Sequence, residues 1–597
     1  MQSLLLQIKQ AAAQSLRELF PDSGVQESDI LVNETKPEFK GEYTVVLFPF
    51  AKLLRQNPEA LGNRLGEHLL AGNTLFTAFE VVKGFLNLSL ADTCWIPVLN
   101  KITSDPEYGR QAASGKKIMV EYSSPNTNKP LHFGHLRNIF LGSAVCEILQ
   151  TNGHEVIGAN LINDRGIHIC KSMVAWMHYG NGATPENTGI KGDHLVGDYY
   201  VLFNDVYKKQ IAGLTATGMT EADAEKQAPL MLEAQELLRK WEDGDPEVRE
   251  LWQKMNDWVY KGFDESYQRL GVSFDRKYYE SETYLSGKTL VQEGLQKKVL
   301  FKKEDGSVWV DLRADGLDEK LLLRADGTSV YMTQDLGTAK LKYNDYRMDQ
   351  SVYVIADEQN YHMQVLQLIL KKLGEPCADG IFHLSYGMVE LPQGRMKSRE
   401  GTVVDADDML DEMFRLAQEQ SEQAGKTEGF TKEELDQLYQ MIGLAALKFY
   451  LLRVEPKKKM IFNPKESIDL HGFTATFIQY AHARICSVLR KQDYTPETAR
   501  AFTALQETIL PLEKSLLIQM EQFPQMLEQA GKDLNPAMIC NYTFRLAQTF
   551  NSFYDQHSIA HAESEEKKLL RLCIASNTAK VLRLAMAQLK IDVPQKM

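Results

Sequence analysis

The period of apolar positions along this chain changes several times, and each change marks a new type of element. Leu4 to Leu19 reads as an amphipathic helix, followed by an extended segment near Ile30-Leu31-Val32. A strand is predicted at Tyr43-Thr44-Val45-Val46-Leu47 and a helix around Leu53 to Leu70. Alternation at Phe79-Glu80-Val81-Val82 and in Phe85 to Leu90 predicts two closing strands. These elements form an α+β module over residues 1–112. From about 113 strands and helices alternate, the pattern of a doubly wound, Rossmann-like parallel sheet. Lys117-Ile118-Met119-Val120-Glu121-Tyr122 has the near-continuous apolar character of a buried parallel strand. A second strand, Glu155 to Leu161, ends in Asn163-Asp164-Arg165-Gly166. Residues of about 176–320 turn helical and polar, which predicts an insertion splitting the sheet before parallel strands resume at Val352 to Ala356. Glu412 onward reads as helical to the end, with caps at Thr431 and Asn535-Pro536. The expected architecture is therefore an N-terminal α+β domain (1–112), an α/β domain with an insertion (113–455) and a C-terminal α-helical bundle (456–597).

Size and composition narrow the class without choosing a function. At 597 residues, with 44% hydrophobic and 25% charged positions, the chain has the make-up of a multidomain globular protein. No stretch approaches the roughly 20 apolar residues a membrane span needs. The first residues lack the basic, apolar and cleavage regions of a secretory leader, so a cytoplasmic protein is expected. Seven cysteines are dispersed without a Cys-x-x-Cys pair, which argues for reduced core thiols. His168-Ile169-Cys170 has no second ligand pair at suitable spacing, and no metal site is expected. The net charge of −13 argues against a general nucleic-acid coat protein, which would be basic. Local stripes remain: Lys457-Lys458-Lys459, Arg484 with Arg490 and Lys491, and Lys567-Lys568 with Arg571. Such runs are more often solvated faces than phosphate contacts.

The most specific chemistry lies just after the first strand. Asn126, Asn128 and Pro130 mark a loop, and from Gly134 the residues Leu136, Ile139, Phe140, Ala144, Val145, Ile148 and Leu149 recur at helical spacing. His132 and His135 thus sit at a helix N-terminus, where free N–H groups and the positive helix end favour phosphates. Gly134 allows close backbone approach, and two imidazoles three positions apart can donate to the same developing negative charge. Strand ends place Glu121, Ser123 and Asn126 where doubly wound sheets bind ligands. Tyr331 and Asp335 lie one helical turn apart, and Gln364 follows the strand at Ile355. Gly394-Arg395-Met396-Lys397-Ser398-Arg399-Glu400-Gly401 forms a cationic, glycine-bounded segment able to stabilise a triphosphate.

The run from Ser123 to Arg137, containing His132-Phe133-Gly134-His135, resembles the nucleotide-binding signature of class I aminoacyl-tRNA synthetases, and its flanks resemble the arginyl-tRNA synthetase family. The resemblance extends over essentially the whole chain. It implies ATP-dependent activation of L-arginine and transfer of the arginyl group to the terminal adenosine of tRNA(Arg), with Mg2+ accompanying ATP and a monomeric enzyme. It implies that Lys129, His132, Gly134, His135, Arg395, Lys397, Ser398 and Arg399 serve catalysis. Arg395 and Ser398 replace the two lysines of the family's second signature, and Lys397, Arg399 and Lys129 all remain candidates to compensate. A guanidinium needs in-plane acceptors, and by resemblance Asp335 with Tyr331 would hold it, while Glu121, Asn126 and Gln364 take the other polar groups of arginine. Ser123, Pro125, Met396 and the segment Gly387-Met388-Val389 resemble ATP-contacting positions. Gln479, Tyr480, Arg484, Tyr542 and Phe550 fall in stretches similar to the family's anticodon-binding helices. Gln334 stands where the family usually has arginine. The alternatives are a cysteinyl or methionyl relative on the same fold, and a catalytically inert tRNA-binding relative. The scattered cysteines disfavour the cysteinyl enzyme, and the intact His132, His135 and Asp335 disfavour the inert one.

Overall fold

A computed structural model of the chain describes residues 3–36, 38–392, 404–423, 425, 429–495, 502 and 507–597. The helix Leu4–Leu19 starts at Ser3, whose hydroxyl accepts from the Leu6 N–H. It packs with a four-stranded antiparallel sheet of β1 (Val32–Glu34), β2 (Tyr43–Val46), β3 (Phe76–Val82) and β4 (Phe85–Leu90), in the order β1-β2-β4-β3. The one helix expected near Leu53 to Leu70 is two, Phe48–Leu54 and Pro58–Gly72. The break is Asn57-Pro58: the Asn57 side chain caps the second helix through the Glu59 and Ala60 N–H groups, and proline fits only its first turn.

The central sheet is parallel throughout, in the order β12-β11-β5-β6-β7. Its strands are β5 (Lys117–Glu121), β6 (Glu155–Ile162), β7 (Arg276–Tyr279), β11 (Gln350–Ala356) and β12 (Ile381–Tyr386). From β5 the chain goes to β6 on one side, and after the insertion β11 pairs on the other. That reversal opens a crevice beyond Glu121, the switch point where such sheets bind ligands. β7 falls inside the stretch expected to interrupt the sheet, yet it forms the sheet's edge beside β6. As a four-residue edge strand of Arg, Lys and two Tyr, it carries no apolar run to betray it. The inserted part proper holds the helices Gly192–Ala216, Pro229–Asp243 and Pro246–Leu270 and a separate antiparallel sheet of β8 (Leu300–Lys302), β9 (Val308–Val310) and β10 (Lys320–Leu323).

A short parallel pair, β13 (Val389–Glu390) with β14 (Met460–Ile461), joins this domain to the helical C-terminal region. There, Lys432–Leu452 begins with the capping box of Thr431 and Glu434. The helices Ala475–Lys491, Pro511–Glu521, Phe523–Asp533, Ala537–Gln556 and Glu565–Ala587 complete it. Of the basic stripes, the one at Lys567 and Arg571 is structural here. Lys567 and Arg571 are buried on Glu513, at 2.7 and 2.9 Å. Arg545 reaches the N-terminal sheet through Glu34, at 2.6 and 2.7 Å. Among the described residues no helix is long and apolar enough to cross a membrane.

Arg137 ties the helix Phe133–Thr151 to the rest. Its guanidinium, 1% exposed, donates to Gly387 O (2.6 Å), Lys458 O (2.8 Å) and Glu455 O (3.2 Å). Arg137→Met would leave three inward-facing carbonyls without their donor. It should lower stability by on the order of 3 kcal/mol, read as a shift of the urea unfolding curve followed by circular dichroism.

Candidate active site

The loop after β5 is held in an unusual backbone conformation. Ser123 and Ser124 have φ of +74° and +45°, a region costly for residues with a Cβ. Asn138 Oδ1 accepts from Ser123 N at 2.6 Å and Asn160 Oδ1 from Ser124 N at 3.0 Å, which fixes both. The chain then runs to His132, the N-cap of the helix Phe133–Thr151. The His132 N–H donates to His135 Nδ1 at 3.0 Å, so the proton of the neutral His135 ring sits on Nε2. The two imidazoles stack with centroids 3.7 Å apart. A Cβ at Gly134 would lie 3.0 Å from the His132 ring, so glycine here makes room for the stacked pair. Burial, helped by the nearby Lys129 cation, brings His132 down to about 3 and holds His135 well below the ordinary imidazole range. Both are neutral donors at physiological pH. Lys129 is itself lowered by burial and has no ion-pair partner among the described residues.

Beyond the ends of β5 and β11 lies a cavity of about 200 Å3 lined by Glu121, Asp335, Thr338, Lys342, Gln359 and His362, among others. It is below the roughly 300–1,000 Å3 of drug-sized ligand sites, a size suited to one side chain. It holds two carboxylates, each with a basic neighbour. Glu121 is paired with the buried Lys342, and Asp335 Oδ2 lies 2.6 Å from His362 Nε2. With the Gln334 amide oriented to suit its neighbours, its oxygen accepts from Arg165 at 3.2 Å and its nitrogen donates to Glu280 at 3.1 Å. Arg165 thus brings a cation to the helix that was expected to lack one. Burial raises Glu280 to about 7.

The structure redistributes several expected site residues. Gln364 is exposed and does not line the cavity; Gln359 does. Gln359 lies three residues past the end of β11 at Ala356, so the strand-end rule itself pointed there rather than a turn into the helix. Tyr331 begins its helix 75% exposed, and neither it nor Asn126 lines the cavity. Ser123 is turned inward, its Oγ 2.6 Å from Tyr267 Oη, and the Pro125 carbonyl accepts from Asn163 N at 2.9 Å. Their polar atoms are therefore spent within the chain. The same holds for much of Gly387-Met388-Val389. The Gly387 N–H donates to Pro456 O at 2.9 Å, its carbonyl accepts from Arg137, Met388 O accepts from Met460 N at 3.2 Å, and Val389 is buried in β13. Arg395, Met396, Lys397, Ser398 and Arg399 lie outside the described residues. At 404–406 the chain meets the histidine loop: Val404 O accepts from Phe133 N (2.9 Å) and Ala406 N donates to Leu131 O (3.0 Å). His194, Asp405 and Asp407 lie close enough to suggest a cation site. They do not fit one, because Lys191 (2.7 Å) and Arg269 (3.1 Å) already neutralise Asp407.

In the helical region the five expected nucleic-acid contacts divide. Tyr480 and Arg484 line an open groove of about 860 Å3 with Lys491, Tyr554 and Lys596. The Arg484 guanidinium lies 4.9 Å from the Tyr480 ring and 5.4 Å from that of Tyr554. Gln479 and Phe550 are 0% exposed, so neither has surface to offer RNA. The Gln479 amide nitrogen donates to Asp592 O at 2.9 Å. Tyr542 stacks on Phe523 and donates to Gln519 O at 2.8 Å, a packing role. Helical phase explains the split: Gln479 lies one residue, and so about a quarter turn, from the groove-facing positions 480, 484, 487, 488 and 491.

Comparison with known proteins adds an independent line. The description "tRNA synthetases class I (R), catalytic domain" matches residues 98–463, more than half of the chain. An arginyl tRNA synthetase N-terminal domain matches residues 6–90 and a DALR anticodon binding domain residues 478–597. The arginine–tRNA ligase of Bacteroides thetaiotaomicron is 54% identical over 579 residues, 96% of each chain, and that of Parabacteroides distasonis is 50% identical over 593 residues, 99% of each. The solved arginyl-tRNA synthetase of Thermus thermophilus shares the fold over 100% of both chains, with a TM-score of 0.76 at 24% identity.

The buried imidazoles carry a signature in stability. His132 is neutral when folded but binds a proton below its ordinary value of 6.5 when unfolded. The unfolded chain therefore takes up more protons as pH falls, so this contribution is complete above about pH 6.5 and lost toward pH 3. Between pH 8 and pH 5 the His132→Gln variant should lose about 1–2 kcal/mol less stability than the parent, measured by urea unfolding at each pH.

Proposed function

The chain belongs to the arginyl family of class I aminoacyl-tRNA synthetases, and on that premise we propose how its parts divide the work of the reaction. The protein is an arginine–tRNA ligase: it activates arginine with ATP and charges tRNA with the product. Its arginine carboxylate attacks the α-phosphorus of ATP, giving arginyl adenylate and diphosphate, and the arginyl group then passes to a hydroxyl of the terminal adenosine of tRNA(Arg). No covalent enzyme intermediate is needed, so catalysis is positioning and stabilisation of phosphate charge. His132 and His135 donate to the phosphates as neutral imidazoles, with Lys129 adding the nearby cation. The cavity of Glu121 and Asp335 takes the arginine, and Gln359 supplies the amide that Gln364 was expected to give. ATP arrives with Mg2+. The groove of Tyr480, Arg484, Lys491 and Tyr554 takes anticodon bases by stacking and cation–π contact. Residues 1–112 meet the tRNA elbow, 113–455 carry the chemistry and 456–597 read the anticodon, in a cytoplasmic monomer.

One observation carries this reading. A two-carboxylate cavity and a neutral imidazole pair at a helix N-terminus sit on the same loop system, at the switch point of the sheet. The test is ATP–pyrophosphate exchange with each amino acid in turn, with and without tRNA. Arginine alone should support exchange, and another amino acid doing so would overturn the assignment. His132→Ala and His135→Ala should each lower the exchange rate by about 100- to 1000-fold with tRNA affinity nearly unchanged, since one well-aimed donor contributes that much. Asp335→Asn keeps the shape but removes the charge facing a guanidinium. It should raise the Michaelis constant for arginine by at least about 100-fold and leave that for ATP within a few-fold, in the same assay.

A further inference from the structure

The helix Tyr331–Tyr346 turns three residues toward the cavity at spacings of three and four, Asp335, Thr338 and Lys342. Lys342 is the unexpected one. It is 1% exposed, a rare position for an ammonium, and lies in a cavity meant for a cationic ligand. Its Nζ bonds the Glu121 carboxylate and lies 4.9 Å from the Tyr353 ring and 5.9 Å from that of Tyr278. Glu121 and Tyr353 are register partners on β5 and β11, so the pair is clamped by the sheet. The cavity lining thus brings together two carboxylates and the Lys342 ammonium. Arginine adds two positive groups, and one must compete with Lys342 for Glu121.

We infer that Lys342 is a positioning residue that holds Glu121 while the cavity is empty and gives up its proton when arginine enters, so that arginine binding releases one proton. The inference rests on the reading of this cavity as the amino-acid site. One N–H bond of the ammonium breaks, the proton passes to the buffer, and the neutral amine left behind still donates to Glu121. Burial lowers Lys342 to about 7, so the ammonium is poised to do this at neutral pH. The other groups facing it are few. Tyr353 and Tyr278 are both pushed up by burial and stay neutral, Tyr278 donating to Asp345 at 2.9 Å. Asp335 and Thr338 come from its own helix, and His362 faces the cavity from the helix Asn360–Leu373, bound to Asp335. The sign follows: protonated Lys342 opposes arginine, so affinity rises with pH up to about 7 and levels off above it, by at most about tenfold per pH unit.

Isothermal titration of arginine into the full-length protein near pH 7, in phosphate and in Tris, reads the proton directly through their different ionisation heats. The apparent binding enthalpy should differ between buffers as expected for release of a substantial fraction of one proton. The Michaelis constant for arginine in tRNA-supported exchange should fall as pH rises from about 6 to 8. Lys342→Met should abolish both effects, Lys342→Arg, which keeps its charge, should bind arginine at least about tenfold more weakly, and His362→Gln should retain the buffer dependence. Identical heats in both buffers for wild-type protein that does bind arginine would overturn the inference and leave the cavity assignment standing. Loss of the buffer dependence in His362→Gln would overturn it too, by assigning the proton to His362. Failure to bind arginine at all would overturn the cavity reading and this inference together. The wild-type titration decides the matter even if Lys342→Met fails to fold.

Discussion

A buried guanidinium held by main-chain carbonyls, with no carboxylate partner among the described residues, governs the geometry of this protein. Arg137 lies one turn into the helix that begins with the paired imidazoles, and its acceptors are main-chain carbonyls 250 to 321 residues further along the chain. Burial lowers it only to about 10, so it remains charged, and a buried charge demands every hydrogen bond it can find. The helix N-terminus is therefore located by the turn at Glu455 to Lys458 and by Gly387. A Cβ at Gly387 would come within 2.7 Å of the Lys458 backbone, so the close approach also requires glycine. The helix N-terminus that carries the two imidazoles and the entrance to the helical region are thus fixed by the same side chain.

A second regularity follows from low dielectric. The carboxylates in and beside the cavity are partnered within the chain: Glu121 with Lys342, Asp335 hydrogen-bonded to His362, and Asp407 with Lys191 and Arg269. A cationic ligand entering there would exchange partners rather than create a new buried charge, which keeps desolvation cost small and the geometry preorganised. The histidines follow the opposite strategy. Kept neutral by burial, they can donate to phosphate without adding a competing positive charge beside the cationic amino acid.

Local signals were legible wherever chemistry is written into contiguous residues. The first helix, the strand–loop–helix around His132, the Thr431 cap and the change from strand–helix alternation to continuous helix all stand in the sequence. The misplacements share one cause, the absence of direction in a one-dimensional pattern. Gln479 and Tyr480 are neighbours with the same polar promise, and only packing against Asp592 decides that one is interior and the other lines a groove. Lys567 and Arg571 read as a basic stripe, but Glu513, more than fifty residues earlier, draws them into the core. β7 is invisible for a related reason, because an edge strand borrows its hydrogen bonds from a partner that the local sequence does not name.

The sequence by itself determined the family, the class of reaction and the paired-imidazole signature at a helix start, because those depend on short runs whose spacing survives any packing. Tertiary structure alone decided which groups meet. It placed Gln359 rather than Gln364 at the cavity, supplied Arg165 to the glutamine at 334, and set Lys342 against Glu121. Those contacts join elements dozens to hundreds of residues apart, and burial, not residue type, sets the charge and protonation of the groups that make them.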